Sequence, residues 1–159
     1  MNSQITVIIT TYNRKIELKR ALQSVFDQTI QPYEIFIINN GDNNLSLNEV
    51  TDIDIDNIKI INSVKDFHAA DGRNVGASIA TTDYVAFLDD DDFWEKDYIK
   101  KTLTIINKNK PDLLISTLYD LETKNIYKKI NNLNLSKMYT SNPGINGSNI
   151  VVLKKSLKE

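Results

Sequence analysis

Along the first two thirds of this chain, short β-branched runs alternate with segments whose apolar positions recur every three or four residues. The runs at 5–10, 34–38, 58–62, 84–88 and 113–118 predict five strands, four of them buried. Between the first two, Leu18, Ala21, Leu22, Val25 and Phe26 predict an amphipathic helix over 15–28. A weaker helix is expected from Gly72 or Arg73, carrying Val75, Ile79 and Ala80. A third follows Asp92, its predicted cap, with Tyr98, Ile99, Leu103 and Ile106 as core stripe and its end before Pro111. Apolar strands joined by crossover helices imply an α/β fold: a Rossmann-like, mostly parallel sheet with helices on both faces. Ligands bind such sheets beyond the carboxyl ends of the strands. Those ends carry Thr11-Tyr12-Asn13, Asn39-Asn40-Gly41-Asp42 and Asp89 to Asp92.

Beyond Leu118 the pattern loosens into a polar, Asn- and Lys-rich stretch, with edge strands expected near 126–130 and 150–153 and a turn-rich loop at 142–147. The chain therefore divides into a core, 1–118, and a second region, 119–159, that reads as the start of something incomplete. Asp52 to Asp56 mimics the opening of an EF-hand loop but lacks its glycine and closing glutamate, and is expected to be a surface connection.

Composition narrows the function classes. At 159 residues and 41% apolar, the chain suits one domain with a core of its own. The absence of cysteine excludes disulfides and thiolate metal sites and fits a reducing cytoplasm. The opening Met1-Asn2-Ser3-Gln4 runs straight into a strand, so no signal peptide is expected, and no apolar segment is long enough to span a bilayer. The expected location is the cytoplasm, including the inner membrane face. Formal net charge is −2, from 19 basic and 21 acidic side chains, so no overall field steers the molecule to nucleic acid. Lysine pairs such as Lys100-Lys101 and Lys128-Lys129 read as solvated surface.

The chemistry concentrates at Asp89 to Asp92, directly behind an apolar run and ahead of Phe93-Trp94. Crowded carboxylates raise one another's pKa unless a cation or helix amides absorb the charge. All-oxygen donors suit Mg²⁺ or Mn²⁺, and Mg²⁺ completes its shell with water and phosphates, which points to a phosphorylated ligand.

Four ordered segments resemble the nucleotide-sugar-binding half of the inverting family two glycosyltransferases, which have the type A fold. They are Val7 to Arg14, Glu34 to Asp42, Gly72 to Gly76 and Phe87 to Trp94, and the likeness runs from Gln4 to Tyr98 with weaker echoes to Leu153. The resemblance implies transfer of a sugar from a nucleoside diphosphate donor, UDP-linked, to a hydroxyl of a glycan or lipid-linked acceptor, with inversion, in cell-surface polysaccharide or glycoconjugate synthesis. It assigns nucleotide binding to Thr11, Tyr12, Asn13, Asn40, Arg73, Asp89 and Asp90, and the cation, Mn²⁺ or Mg²⁺, to Asp91 with Asp89. Asp90 is expected to face solvent. Tyr12 would lay its ring on the base, although the residues alone read it equally as loop filling. Arg73 and free amides at the helix start beside it would hold the diphosphate, a surface arginine being the other reading. Trp94 is expected to pack under the loop, and His68 to sit in a mobile loop without a triad.

One departure matters: Asn39-Asn40 stands where the family has two aspartates. The second normally accepts the N–H of uracil; an amide at Asn40 can accept it too, or, flipped, serve cytosine. The family's catalytic base is an acidic residue beyond the segment that Gly144 to Ile150 echoes. Asp120 and Glu122 are the only acids near that region and neither is a convincing base. That gap supports an alternative, a catalytically incomplete module that binds a nucleotide sugar without turnover. Phosphoryl transfer would want a glycine-rich loop after the first strand, where Thr11 to Arg14 has no glycine.

Overall fold

Seven consecutive β-branched residues, Ile5–Thr11, form a strand buried along its whole length, and this β1 is the axis of the molecule. The computed structural model describes residues 3–53, 56–63, 68–120, 122–123, 125–128, 142 and 144–157. After β1 come α1 (Lys15–Phe26), β2 (Glu34–Asn39), β3 (Ile58–Asn62), α2 (Ala69–Ile79), β4 (Tyr84–Asp89) and α3 (Tyr98–Asn109). Four short strands follow: β5 (Leu113–Ile115), β6 (Leu118–Asp120), β7 (Asn125–Lys128) and β8 (Ile150–Leu153). Six strands make one sheet in the order β3-β2-β1-β4-β8-β5. The first four are parallel, and β8 runs antiparallel to both β4 and β5. The mostly parallel α/β sheet expected from the pattern is thus the one that forms.

The pleat sorts the core into two layers. Ile5, Val7 and Ile9 of β1 face a cluster with Leu18, Leu22 and Val25 of α1 and Ile99 and Ile106 of α3. Ile8 joins Phe36, Ile38, Val85 and Phe87 against Ala77 of α2 on the opposite face. The chain leaves β1 toward β2 and β3, then returns to the other side of β1 as β4, so the order reverses between β1 and β4. A crevice opens at such a switch point, beyond the carboxyl ends of those two strands.

Several local expectations are corrected. α2 starts at Ala69, before Gly72, and its buried face is made of Gly72, Gly76 and Ala77, while Ile79 is exposed. Small residues carry little hydrophobic signal, which hid the first turn. Asp92 does not cap α3: its N–H closes a turn on Asp89 O at 3.2 Å, and the helix begins six residues on. The cap comes from Gln28, whose buried amide accepts from Ile99 N at 2.9 Å and donates to Glu95 O at 2.8 Å. The run 113–118 splits into β5 and β6, and β6 leaves the sheet to pair with β7 as a separate hairpin. β8, expected at an edge, lies inside the sheet because Val151 and Val152 are buried there, with β5 outside it. Residues 129 and 130 of the other expected edge strand lie outside the described residues, as do 54 and 55 of the acidic connection, whose Asp52 and Ile53 are exposed.

Candidate active site

A cavity of about 560 Å³ occupies the crevice. Thr10, Thr11, Tyr12 and Arg14 from the end of β1, Asn40 from the end of β2 and Asp89 to Asp91 from the end of β4 line it, together with His68, Ala69 and Arg73 of α2. Strand register brings them together: Thr10 pairs with Asp89, and Thr11 with Asn39. Of the residues singled out in the sequence, Thr11, Tyr12, Asn40, Arg73, Asp89, Asp90 and Asp91 share this cavity. Asn13 faces elsewhere. Its backbone is left-handed, at φ 56°, and its amide donates to Asp42 Oδ2 at 2.7 Å and accepts from Asp42 N at 3.1 Å, latching the β1 loop to the β2 loop. The half-exposed Tyr12 ring reaches the same aspartate through its hydroxyl, at 3.3 Å.

The four aspartates divide by environment. Asp90 is buried rather than solvent-facing: Thr11 Oγ1 donates to its Oδ2 at 2.8 Å, and Arg14 Nη1 lies 3.4 Å from Oδ1. It ties the β4 loop to the end of β1. Burial raises its pKa, and the Thr11 hydrogen bond and the Arg14 charge oppose that rise. Asp91 is exposed and pairs with Arg14 Nη1 at 2.8 Å. Asp89 pairs with Arg73 Nη2 in a less accessible position. The arginines therefore supply the positive charge that four adjacent carboxylates demand.

Two nearby amides have different jobs. Asn39 is consumed by structure, donating to Asn43 O and Asn62 Oδ1 and accepting from Gly41 N. Asn40 Oδ1 is buried and has no partner, and the same holds for Arg73 Nε. Buried polar atoms without partners are costly and rare, and both belong to residues that line the cavity. The amides expected to be free beside Arg73 are not: Gly72 N already donates to His68 O, because α2 begins a turn earlier. His68 sits at the N-cap of α2, its own N–H donating to Asp71 Oδ2 at 3.0 Å.

The segment just ahead of β8, read from the sequence only as an echo of the family's acceptor segment, also braces the aspartate loop. Ser148 Oγ accepts from Asp89 N at 3.0 Å, and Ser148 O accepts from the Trp94 indole at 2.9 Å. Trp94 is buried under the loop as expected, stacked on Tyr98 with centroids 4.3 Å apart. Gly147 packs so closely that a Cβ there would fall 2.5 Å from Asp89 Oδ1, and closer still to Arg73 Nη2. Any larger residue at 147 would have to displace one or both side chains of that ion pair. Arg14 entered the sequence reading only as the end of the first segment; its pairing with Asp90 and Asp91, 76 and 77 residues away, carries no local signal.

Asp89 and Asp91 offer hard oxygen donors, as Mn²⁺ or Mg²⁺ requires. Among the described residues no group of three His, Asp or Glu side chains forms a complete metal cage. Two carboxylates with the remaining positions left to water and phosphate oxygens are what a substrate-bridging Mg²⁺ uses, so the donor set fits the ion.

Comparison with known proteins places this arrangement. Glycosyltransferase GlyA of Streptococcus pneumoniae serotype 4 is 30% identical over 122 residues, which cover 75% of this chain and 17% of that protein. YwdF of Bacillus subtilis, an uncharacterized glycosyltransferase, is 34% identical over 98 residues, 62% of this chain and 36% of that one. This chain thus spans well under half the length of either relative. Among solved structures, S. aureus TarS 1-349 superposes with a TM-score of 0.72 at 19% identity, covering 95% of this chain and 47% of that 1-349 chain. The same protein in complex with UDP-GlcNAc gives 0.68 at 20% identity, covering 95% and 45%. Those likenesses establish the fold. The model of glycosyl transferase family 2 matches residues 6–155, from β1 to the turn after β8, and this chain belongs to that family.

Proposed function

We propose that the cavity between β1 and β4 binds a nucleoside diphosphate sugar, UDP-linked, and that the protein transfers the sugar with inversion to a hydroxyl of a glycan or lipid-linked acceptor, with Mn²⁺ or Mg²⁺ held by Asp91 and Asp89. The setting is cell-surface polysaccharide or glycoconjugate synthesis. The observation that carries this reading is the pair of buried, unpartnered atoms, Asn40 Oδ1 and Arg73 Nε, on residues lining one cavity with two acidic side chains. An acceptor and a donor so placed suit a base edge and a diphosphate. Tyr12 offers its exposed ring to the base, and Thr11 and Asp90 fix the floor beneath it. Arg73 takes part of the negative charge of the diphosphate in ground state and transition state alike. The bound cation would supply the rest of that charge neutralisation. The fold neighbours solved with UDP and UDP-GlcNAc support a nucleotide-sugar donor.

Inversion by single displacement needs a base to take the acceptor's proton. Asp120 is a poor candidate, because the Thr123 amide donates to its Oδ1 at 2.8 Å and lowers its pKa. The donor half is therefore what these residues support most directly. Titration of UDP, with Mn²⁺ and then with chelator, on the native chain and on Asp91→Ala tests it. The expected result is at least about a tenfold loss of affinity on chelation or substitution. Binding indifferent to both would remove Asp91 and the cation from the site.

A further inference from the structure

All three arginines of the chain converge on the loop Asp89 to Asp91, and no lysine among the described residues forms an ion pair with it. Arg73 pairs with Asp89, Arg14 with Asp90 and Asp91, and Arg20 donates to Asp91 O at 2.8 Å while its guanidinium lies 5.8 Å from the Phe93 ring centroid. These contacts are not equivalent. The Arg73–Asp89 pair is about three-quarters buried, and Gly147 lies so close over it that a Cβ there would collide with both side chains. Arg20 holds a backbone carbonyl and leaves the carboxylate alone. The Arg14–Asp91 pair is half exposed on both sides, 51% and 55%, and such solvent-screened pairs are weak and open readily.

We propose that Arg14 is the resident counter-ion of this site: it occupies the Asp91 carboxylate while no divalent cation is bound and yields it when one binds, thereby setting the affinity for the cation. The inference rests on the donor-site reading above. Arg14 stays in place after the exchange because the buried Asp90, 3.4 Å from the same Nη1, is a second anchor that Thr11 holds fixed. Its aim is built into the backbone. The left-handed Asn13, latched to Asp42, ends the β1 loop, and Arg14 stands at the N-cap of α1 facing the cavity. A lysine would give one flexible point charge; the planar guanidinium reaches both neighbouring carboxylates through the single nitrogen Nη1 and keeps further donors.

The test is Mn²⁺ binding by the full 159-residue chain, read from the EPR signal of free Mn²⁺, alone and with UDP. The variants are Arg14→Gln, Arg14→Met, Arg20→Gln and Asp91→Asn, with thermal unfolding to check that each is folded. Removal of a competing counter-ion should tighten Mn²⁺ binding about three- to fivefold in both Arg14 variants, the upper part of the range an exposed ion pair spans, and Arg20→Gln should leave it within about twofold. Unchanged or weaker binding in the Arg14 variants overturns the inference. So does equal tightening by Arg20→Gln, which would mean a general field rather than exchange at Asp91. Asp91→Asn separates this outcome from failure of the donor-site reading. If the native chain binds no Mn²⁺, or Asp91→Asn binds it as well as the native chain does, the metal site itself is wrong and the inference falls with it.

Discussion

In the proposed donor site, Asn40 is the residue on which nucleotide choice would turn. Its backbone N–H donates to Thr11 O at 2.9 Å, which fixes the position, while its buried side-chain oxygen waits without a partner. An amide can present either an acceptor or, rotated, a donor, so it can meet the ring nitrogen of uracil or of cytosine. A carboxylate can only accept. Asn40→Asp should therefore shift the ratio of UDP to CDP affinity toward UDP by at least about fivefold, since a buried acceptor left facing another acceptor costs on the order of 1 kcal/mol or more. Competition binding of the two nucleotides measures it, and an unchanged ratio would detach Asn40 from the base. Asn40, Asp89 and Asp91 were legible as neighbours because each sits at or just beyond a strand's carboxyl end, a position that local pattern reveals, whereas Arg73 lies within α2 and was picked out by the glycine beside it and the family resemblance. The sequence misjudged Asp90, whose burial depends on Thr11, 79 residues away. Gly147 and Ser148 stand in a segment the sequence did single out, but their contacts with Asp89 and Trp94, across more than fifty residues, were not legible in it. Local pattern has no access to such pairs.

Helices show how legibility depends on the side chains that make the contact. α1 and α3 bury Leu18, Leu22, Ile99 and Ile106, so their periodicity announces them. α2 packs through glycine and alanine, and its closeness to the sheet leaves almost no hydrophobic trace. That closeness is testable at Gly76, where an added Cβ would lie 2.6 Å from Cγ2 of the fully buried Ile8. Gly→Ala in a helix interior gains about 0.8–1 kcal/mol in propensity, whereas overpacking a tight core costs about 1–3 kcal/mol, so the clash should win. Gly76→Ala is expected to lower stability by on the order of 1 kcal/mol in urea unfolding; a gain would show that α2 can lift from β1 freely. A second element-level device joins the start of α1 to the turn Leu47–Glu49 through the Lys15–Glu49 ion pair. Lys15 and Ser46 pull the Glu49 pKa down from 4.5 to about 2. A depressed carboxylate stabilises the fold above its unfolded pKa and loses that contribution as pH falls toward the folded value. Glu49→Gln should flatten the fall of Tm between about pH 4.5 and 2 and leave its shape near neutrality unchanged. An identical acid limb in the variant would assign that limb to other groups.

At the scale of the whole molecule, the two stretches on either side of Leu118 are not stacked end to end. β8 returns from the second stretch and inserts between β4 and β5, in register from Tyr84↔Leu153 to Ala86↔Val151. The same return sets Ser148 and Gly147 against Asp89 just beyond the end of β4, so the sheet and the site share one connection. The β6–β7 hairpin, by contrast, stands apart from the main sheet and exposes Tyr119 and Ile126. The sequence showed both segments as short apolar runs in polar surroundings, and nothing local distinguishes an inserted strand from a peripheral one; their neighbours decide it. Equivalent charge substitutions should therefore give opposite outcomes. Val151 is fully buried in the larger core cluster, so Val151→Asp places an unpaired carboxylate in the apolar layer between the sheet and its helices, a change expected to cost on the order of 4 kcal/mol or more. Ile126 is 54% exposed, and Ile126→Asp should stay within about 0.5 kcal/mol. Thermal unfolding distinguishes them, and UDP binding adds the functional side: loss of β8 should abolish binding along with the fold, because Ser148 and Gly147 are positioned by the strand that follows them. A Val151→Asp chain that unfolds at the native temperature and still binds UDP would mean that the sheet closes without β8 and that the site owes nothing to the return of the chain.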